Sequence, residues 1–460
     1  MKNCFIKWFV LLNCLPLVIL CQPLPLTEVG SLPATLSETS GLETTAENSF
    51  WTINDSGWPA ELYEIDSTGN LVRTITISNA TNVDWEDLTS DNQGNLYLGD
   101  FGNNNHNRTN LTIYKIPNPH LVAGTDTSAE IIEFSYPDQS AFPPVDSFKN
   151  FDMEAFFWFQ DSLYLFSKNW TVPFTGHTKM YRLPVTAGTY AASLIDSFFT
   201  GPGPSFQYWI TGADITPDGE HVLLISHDRS WLFSCFEGAD FFNGSSVEIQ
   251  FPHLTQKEGV CFVSPEKLYI SDEILGGVLG GKFYKADFTP YTIEPFTDLG
   301  ADTTLELGEV FQLDAQSEGV SVHWNTGDTG QVLSIHQGGT YVVLLTAPNG
   351  CMASDTIVIQ FDSTSTLVDR SREKLGFRIY PNPFSHQLIL EMEVPKSQKL
   401  EIELRWQNGQ LIQQQVVESL SAGPVHINLG YLDFPGSSQV VVLQVKWSGG
   451  EASEKLIQVR

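Results

Sequence analysis

The chain has 460 residues, of which 42% are hydrophobic and 12% aromatic, so it is long enough for more than one domain with a sizeable apolar core. Its 24 lysines and arginines stand against 54 aspartates and glutamates, which gives a formal net charge of -30. So acidic a chain lacks the cations that neutralise phosphates, and this excludes nucleic acid and an anionic membrane surface as expected partners.

The first 21 residues are predicted to be a secretory signal peptide. Two lysines precede a short, interrupted apolar run from Trp8 to Leu20. Such a run is too short to span a membrane stably. We therefore expect cleavage between Cys21 and Gln22 and no transmembrane segment in the mature chain.

One three-strand pattern recurs between residues 22 and 292. Its clearest copy runs from Val83 to Pro117, with predicted strands at Asp84 to Leu88, Leu96 to Asp100 and Leu111 to Ile116. Acidic heads recur at Asp152-Met153-Glu154, Gly212-Ala213-Asp214 and Glu258-Gly259-Val260, and Ser40-Gly41-Leu42 is a weaker first copy. Five imperfect copies at roughly blade spacing, about 40 to 50 residues, predict an all-β fold that begins with a five-bladed β-propeller.

The ring of this propeller is predicted to close through its N-terminal strand. The last copy, Lys257 to Asp287, supplies three clear strands, and Pro23 to Gly30 forms a strand without a hairpin partner. The N-terminal strand then completes the last blade. Six blades is the alternative, if the gaps at Ser135 to Asn150 or Leu194 to Trp209 contain further strands.

Polar residues occur at equivalent positions of these repeats, at the head of the first strand and the end of the second. Because adjacent strands of a blade are antiparallel, these positions lie on one face of the propeller, at one opening of its central channel. Clustered carboxylates repel one another unless a cation lies among them, and oxygen ligands suit Ca²⁺. The predicted metal ligands are Glu86, Glu154, Glu258, Asp100 and Asp272. The predicted ligand-binding residues are Asn54, Asp55, Asp84, Asp152 and Asp214.

Two further residues at second-strand ends are candidates for catalysis. Lys168 and His227 are the cationic or near-neutral titrating groups at these equivalent positions. A carboxylate-rich opening would hold and tune them as substrate ligand, acid or base. A metal ion, a polarised water and one of these side chains would form a hydrolytic site.

Three cysteines follow the predicted signal peptide: Cys235, Cys261 and Cys351. A disulfide between Cys235 and Cys261 is one interpretation in an oxidising compartment, and two separately buried thiols are the other.

The repeats resemble a loose group of propellers that includes phytase-like esterases, NHL-repeat proteins and gluconolactonase-like proteins. The phrases that carry the resemblance are DWEDLTSDNQGNLYLGDFGNN, FDMEAFFWFQDSLYLFSKNW, ITGADITPDGEHVLL and EGVCFVSPEKLYISDE. The resemblance covers residues 22 to 290. It implies a propeller of metal-dependent phosphoester or lactone hydrolase ancestry.

Residues 296–362 change to short alternating strands and predict a small β-sandwich. The predicted strands are Val310 to Leu313, Val320 to Trp324, Val332 to Ile335, Thr340 to Leu345 and Thr356 to Gln360. Trp324 is expected in the core, with Tyr341 as a corner residue. The segment resembles the PKD- or Ig-like modules of bacterial surface proteins, which implies a spacer. Those modules often carry a second cysteine near the position of Glu306 here, so we expect Cys351 to be unpaired.

Residues 363–374 predict an exposed linker, and residues 375–460 predict a second β-sandwich. The latter resembles the C-terminal sorting domain of type IX secretion over its whole length. The matching features are Tyr380-Pro381-Asn382-Pro383-Phe384, Asn408-Gly409, Gly449-Gly450 and Lys455. The family implies Sec export from a Gram-negative bacterium, passage through the type IX translocon and cleavage by a sortase-like protease. The product would be secreted or held at the outer cell surface.

Two classes of function remain open for the propeller. One is a cation-dependent hydrolase of phosphoesters or related small substrates. The other is a non-catalytic surface module for adhesion, which would recognise a glycan or a protein through the same opening.

Overall fold

The computed structural model describes residues 23–276, 278–306, 309–362, 377–380, 387–394, 397–406, 410–431, 439–447 and 450–458. The predicted signal peptide and the predicted linker 363–374 therefore lie outside the described residues. The chain forms two compact units, residues 1–361 and 362–460. In the described residues no helix is both long and apolar enough to cross a membrane.

The part of the first unit before residue 288 is built almost wholly of short strands. In chain order they are β1 Thr27–Ser31, β2 Thr39–Ala46, β3 Ser49–Asn54, β4 Glu61–Asp66, β5 Leu71–Ile77, β6 Trp85–Ser90, β7 Leu96–Asp100, β8 Leu111–Ile116, β9 Asp126–Thr127, β10 Glu130–Ser135, β11 Asp152–Phe159, β12 Ser162–Lys168, β13 His177–Pro184, β14 Gly188–Ala191, β15 Ser193–Phe199, β16 Gly212–Ile215, β17 His221–Ile225, β18 Arg229–Ser234, β19 Ser245–Gln250, β20 Lys257–Ser264, β21 Lys267–Asp272 and β22 Lys282–Asp287. The short helix α1 spans Ser205–Tyr208, and single 3-10 turns span Ala34–Leu36, Pro119–Leu121, Asp146–Phe148, Phe241–Asn243 and Thr289–Tyr291.

These strands form five sheets, and each sheet begins with one of the predicted repeat heads. Sheet I has the order β2-β3-β4-β5-β9, sheet II β6-β7-β8-β10-β14, sheet III β11-β12-β13-β15, sheet IV β16-β17-β18-β19 and sheet V β20-β21-β22-β1. The predicted closure by the N-terminal strand is confirmed, since β1 pairs antiparallel with β22.

The first strands of the five sheets contact one another in a closed order, β2 to β6 to β11 to β16 to β20 and back to β2. Between each two neighbouring sheets lies a separate apolar core. The core between sheets I and II, for example, contains the fully buried Trp51 and Trp85. A sheet with two apolar faces cannot bury both alone, so the sheets stack around a common axis.

Glycines let the first strands approach closely. A Cβ atom on Gly41 would lie 2.7 Å from the backbone nitrogen of Leu88, and one on Gly259 would lie 2.9 Å from the Cβ of Leu42. A Cβ on Gly212 would lie 2.8 Å from the carbonyl oxygen of Glu258. Contacts this short exclude a larger side chain, so the ring of first strands depends on glycine at these points.

Two outer strands connect neighbouring sheets. The strand β9 lies between β8 and β10 in the chain, yet it pairs in parallel with β5 of sheet I. The strand β14 follows β13 of sheet III and pairs in parallel with β10 of sheet II. Each of these strands adds backbone hydrogen bonds between two sheets at the outer edge.

The cysteines pair differently from the prediction. Cys235 forms a disulfide with Cys351, with their Cα atoms 5.9 Å apart, so the expectation that Cys351 is unpaired is wrong. Pairing of Cys235 with Cys261 is excluded, because Cys261 is a free, fully buried thiol. The reason is a tertiary contact: Ser245 at the start of β19 donates a 2.9 Å hydrogen bond to the carbonyl oxygen of Asn349, which brings the turn before Cys351 to sheet IV.

Two further sheets, which share one apolar core, form the end of the first unit. Its strands are β23 Thr303–Glu306, β24 Phe311–Asp314, β25 Ser321–Trp324, β26 Val332–Ile335, β27 Gly339–Thr346 and β28 Met352–Asp362. One sheet has the order β23-β28-β27-β25 and the other pairs β24 with β26. Trp324 is buried in the shared core, as predicted. The Tyr341 hydroxyl donates a 2.7 Å hydrogen bond to the carbonyl oxygen of Gln337, as a corner tyrosine does.

The second unit also has two sheets around one apolar core. Its strands are β29 Phe377–Tyr380, β30 Gln387–Val394, β31 Gln398–Trp406, β32 Leu411–Leu420, β33 Gly423–Tyr431, β34 Gln439–Trp447 and β35 Gly450–Gln458. The orders are β29-β30-β33 and β32-β31-β34-β35. Of the predicted sorting features, Tyr380 ends β29 and Lys455 pairs with Val442. Residues 381–384, 408–409 and 449 lie outside the described residues.

Candidate functional site

The first strand of a sheet begins where the second strand ends, so both positions occur at one end of the ring. Three pairs establish this register: Thr39 with Asn54, Asp152 with Lys168, and Lys257 with Asp272. We call this end of the ring the mouth. Its ionisable residues near the ring axis are Asp55, Asp84, Glu86, Asp152, Glu154, Lys168, Glu258 and Glu273.

Three first strands carry a β-bulge whose extra residue is a glutamate. The register shifts between Trp85 and Asp87, between Met153 and Ala155, and between Lys257 and Gly259. The bulged residues are Glu86, Glu154 and Glu258. A bulge re-aims one side chain relative to regular alternation, and here it is the same position in sheets II, III and V. Sheet I has glycine at the equivalent bulge, and β16 of sheet IV pairs without a shift.

Glu86 lies at the centre of the carboxylate cluster. One oxygen from each of Glu86, Asp152 and Glu154 lies within 4.8 Å of the others, and so does one oxygen from each of Asp55, Asp84 and Glu86. Glu86 is 2% exposed. Burial, followed by the charges of neighbouring carboxylates, raises the pKa of Glu86 well above its usual value. Four acidic neighbours this close therefore favour protonation or a bound cation.

The pKa values of the two aspartates beside Glu86, Asp55 and Asp84, are raised as well. Burial and the charge of Glu258 raise the pKa of Asp55 to about 7. Burial and the charge of Asp152 raise the pKa of Asp84 to about 6. Both carboxylates thus bind protons in the pH range in which a divalent cation would compete for the same oxygens.

Among the described residues, Lys168 is the only lysine at the mouth whose ammonium group contacts the carboxylate cluster directly. Its Nζ lies 2.8 Å from Oε1 of Glu154, and both side chains are largely buried. The ammonium also lies over two indole rings, 5.7 Å from the ring centre of Trp170 and 5.4 Å from that of Trp209. Burial lowers the pKa of Lys168, but the charges of Glu154 and other mouth carboxylates outweigh this and raise it. Lys168 is therefore a permanent cation at neutral pH.

Three predicted aspartates already accept hydrogen bonds from neighbouring groups. Asp152 accepts from the backbone nitrogen of Asn103 and, at 2.7 Å, from Nε1 of Trp170. Asp100 forms a 2.8 Å ion pair with Arg108, and Asp272 accepts from the backbone nitrogen of Lys282 and the Tyr284 hydroxyl. The structure thus places Asp152 in the cluster, and places Asp100 and Asp272 in contacts that hold loops at its edge.

Glu258 lies next to Glu273, which follows β21. Gln256 donates a hydrogen bond to each of these two carboxylates, at 3.1 Å to Glu258. Burial, followed by the charge of Glu258, raises the pKa of Glu273 to about 11. Glu273 is therefore neutral at pH 7, and this second carboxyl pair lies on the side of the mouth formed by sheet V.

His227 lies near two lysines in the loop after β17. Burial and the positive charges of Lys168 and Lys257 lower its pKa to about 4. Its Nε2 atom is buried and has no hydrogen-bond partner in the described part of the chain. His227 is therefore neutral at pH 7.

One predicted ligand-binding residue, Asp214, lies apart from the cluster, while Asn54 is held beside it. Asp214 accepts hydrogen bonds from the backbone nitrogens of Ile215, at 2.8 Å, and of Phe262, at 2.6 Å, so it connects β16 to β20 farther along the channel. Asn54 is buried, with its side-chain amide donating a 2.8 Å hydrogen bond to the carbonyl oxygen of Thr35. Asp214 belongs to neither group of clustered carboxylate oxygens, whereas Asn54 ends β3 next to Asp55 of the cluster, and its Oδ1 atom is buried without a hydrogen-bond partner in the described residues.

A wide cavity of about 1070 Å³ lies at the opposite end of the ring. The hairpin turns between the first and second strands of all five sheets line it, together with Glu43 and Asp214. This cavity therefore lies at the end of the ring away from the carboxylate cluster.

Sequence reasoning missed three residues that shape the mouth: Arg108, Trp170 and Lys257. Lys257 is fully buried, and its ammonium donates hydrogen bonds to the carbonyl oxygens of His227 and His253 and to the Thr255 hydroxyl. Burial lowers the pKa of Lys257 to about 8. The signal for Trp170 and Lys257 was their position beside a predicted site residue, but their contacts depend on loops from other sheets.

No protein-family model matches this chain, and no curated protein matches it. Among solved structures, the PQQ-bound aldose sugar dehydrogenase of Streptomyces coelicolor is 10% identical, with a TM-score of 0.35 over 57% of this chain and 98% of that chain. A putative 6-phosphogluconolactonase from Bacteroides uniformis is 11% identical, with a TM-score of 0.28 over 85% and 98%. PorZ, a surface component of the type IX secretion system of Porphyromonas gingivalis, is 13% identical, with a TM-score of 0.24 over 91% and 51%. Likeness at this level carries no argument about function.

Proposed function

We propose that this protein is an exported β-propeller protein whose mouth binds a small ligand through a divalent cation, Ca²⁺. Residues 22–292 form a five-bladed propeller in this proposal, followed by an Ig-like spacer at 296–362. The observation that carries the proposal is the position of Glu86, which is buried and belongs to both groups of three carboxylates. Carboxylate oxygens are the ligands that Ca²⁺ prefers, and a cation would remove the repulsion among them.

The cation would hold its ligand at coordination positions that the protein does not fill. Ca²⁺ takes about six to eight oxygen ligands, and three carboxylates supply only part of that number. The remaining positions would accept water or an oxygen of a bound phosphate, carboxylate or sugar. An anionic ligand would need such a cation, because the mouth is otherwise acidic.

Calcium titration with the full chain tests this proposal. We expect the melting temperature to rise with CaCl₂ and the Glu86→Gln variant to lose that rise, because the central ligand is gone. Glu133→Gln is the matched control, since Glu133 is an exposed carboxylate on β10, away from the mouth. An equal calcium response in all three proteins would contradict the proposal.

Hydrolysis is the second candidate, and the unpartnered Nε2 of His227 favours it. A neutral imidazole near a metal-bound water is a suitable general base. Lys168 would stabilise negative charge rather than accept a proton, because its pKa is raised.

A panel of chromogenic phosphate, carboxylate ester and lactone substrates, with and without CaCl₂, tests this candidate. Turnover that His227→Ala abolishes would support it. Calcium binding without turnover would support the alternative function, a non-catalytic binding module that recognises a glycan or a protein.

Residues 375–460 would route the protein to the cell surface. The resemblance of these residues to type IX sorting domains supports the type IX translocon and its sortase-like protease as partners. In a type IX-competent host, a chain ending at residue 374 would accumulate in the periplasm, whereas the full chain would reach the surface or the medium. Equal export of both chains would contradict this route.

A further inference from the structure

The two carboxylate groups at the mouth share Glu86 but differ in how their other oxygens are used. In the group of Glu86, Asp152 and Glu154, donors already contact two of the three residues. Lys168 forms an ion pair with Glu154, and Asp152 accepts from Asn103 and Trp170. These oxygens therefore have a positive charge or an N–H group facing them.

The Lys168 ammonium is held in that group from both sides. Glu154 contacts it at 2.8 Å, and the indole rings of Trp170 and Trp209 lie beside it with their centres 4.4 Å apart. The Trp170 ring is itself fixed by its 2.7 Å hydrogen bond to Asp152. A buried ammonium with a carboxylate and aromatic faces around it occupies the place that a bound cation would take.

The group of Asp55, Asp84 and Glu86 differs in two independent respects. First, the Glu86 carboxylate is nine-tenths buried, and neither it nor that of Asp84 receives a hydrogen bond from a donor in the described residues. The carboxylate of Asp55 accepts from the backbone nitrogen of Ser56. A buried carboxylate without a donor is costly unless a cation or proton compensates it.

Second, Gly102 forms a close wall for these oxygens. A Cβ atom at this position would lie 1.9 Å from Oε1 of Glu86 and 2.7 Å from Cγ of Asp84. Glycine here lets both carboxylates lie against the backbone and face each other. Arg108 fixes this wall by donating a 2.7 Å hydrogen bond to the Gly102 carbonyl oxygen.

We propose that the mouth is a divided cation site, in which the Lys168 ammonium permanently fills the half formed by Asp152 and Glu154, while one divalent ion binds the half formed by Asp55, Asp84 and Glu86. This deepens the proposed function and rests on it. Lys168 is then a positioning residue that limits the mouth to one divalent ion. Removing its charge opens the second half, where Asp152 and Glu154 lie close enough to Glu86 to bind another ion with Glu86 shared between the two ions.

Isothermal titration calorimetry with CaCl₂ on the full chain counts the ions. We expect one ion for the natural sequence and two for Lys168→Met. Lys179→Met is the matched control, because Lys179 also forms an ion pair, with Asp138, and lies over an aromatic ring, that of Phe151, outside the cluster. This control should still bind one ion.

Two carboxylate variants test the division without touching Lys168. Asp84→Asn should weaken the ion at least about tenfold, a loss of about 1.4 kcal/mol, whereas Glu154→Gln should change its affinity by less than about threefold. The double variant Lys168→Met with Glu154→Gln should return to one ion, because the opened half then lacks a ligand.

The outcomes separate this inference from the proposed function. If neither the natural chain nor any variant binds Ca²⁺, the mouth does not bind a cation, and the proposed function and the divided site both fail. If the natural chain binds one ion but Lys168→Met binds no more, or if Glu154→Gln weakens the ion as much as Asp84→Asn does, the divided site is wrong while the cation-binding mouth stands.

Discussion

Asp87 of sheet II accepts a 2.9 Å hydrogen bond from the backbone nitrogen of Phe156 on sheet III, 69 residues later in the chain. Its other oxygen accepts a 2.8 Å hydrogen bond from the backbone nitrogen of Leu88. Asp214 of sheet IV repeats this arrangement with Phe262 of sheet V. Buried carboxylates thus connect neighbouring first strands at two places around the channel.

Replacing Asp87 with alanine should destabilise the first unit. The change leaves the buried backbone nitrogens of Phe156 and Leu88 without an acceptor, and we expect a loss of about 2 to 4 kcal/mol in the free energy of unfolding. Asp87→Asn keeps one acceptor oxygen and should lose less. Urea unfolding measures both, and an alanine variant as stable as the natural chain would show that the connection contributes nothing.

Gly41→Ala should be far more damaging than Gly57→Ala. Both glycines have positive φ angles, 65° and 83°, so both substitutions carry the strain of the left-handed region, about 1 kcal/mol. Only at Gly41 does a Cβ meet the backbone of the next first strand, 2.8 Å from Cα of Asp87, whereas nothing lies within 4 Å at Gly57. Thermal unfolding of the two variants separates crowding from strain, and equal losses would mean that the strands can separate at little cost.

Loss of the disulfide should weaken the first unit by about 2 to 4 kcal/mol, because the bond restricts the unfolded chain over a long loop. Cys351→Ser should lower the melting temperature and make it insensitive to dithiothreitol. Cys261→Ser is the control: it alters a buried thiol but leaves the bond between Cys235 and Cys351, so dithiothreitol should still lower its melting temperature. A natural chain unaffected by the reductant would contradict the prediction.

The stability of the first unit should fall as the pH rises from about 4 to about 7. Burial raises the pKa of Asp214 from 3.8 to about 7, and the hydrogen bonds from Phe262 and Ile215 only partly oppose this. The folded state therefore binds more protons than the unfolded state in this range, and the stability present below pH 4 is lost as the pH passes through 7. The fall in melting temperature across this range should be smaller in Asp214→Asn, while the raised pKa values of Asp55 and Asp84 keep part of it. A melting temperature that rises with pH, or a pH dependence that is the same in Asp214→Asn, would rule out this role for Asp214.

Most strands of the repeats, and their order along the chain, could be predicted from the amino-acid sequence. Alternation of polar and apolar residues encodes a half-buried strand locally, so the strand at Leu96 to Asp100 and the closing pair of β1 with β22 were predictable from short segments and repeat counting. The sequence also placed Glu86, Glu154 and Asp152 at one end of the ring. These features depend on local pattern and on antiparallel pairing alone.

Which of those residues contact one another depends on the packing of the folded chain. Glu86 and Glu154 are the extra residues of bulges and lie in the cluster, whereas Asp214 makes the same connection to the next strand as Asp87 does. A one-residue shift in register re-aims a side chain, and no local pattern records it. The ion pair of Lys168 with Glu154 and the disulfide of Cys235 with Cys351 likewise join segments whose distance is set by packing rather than by sequence, so only the folded chain could show them.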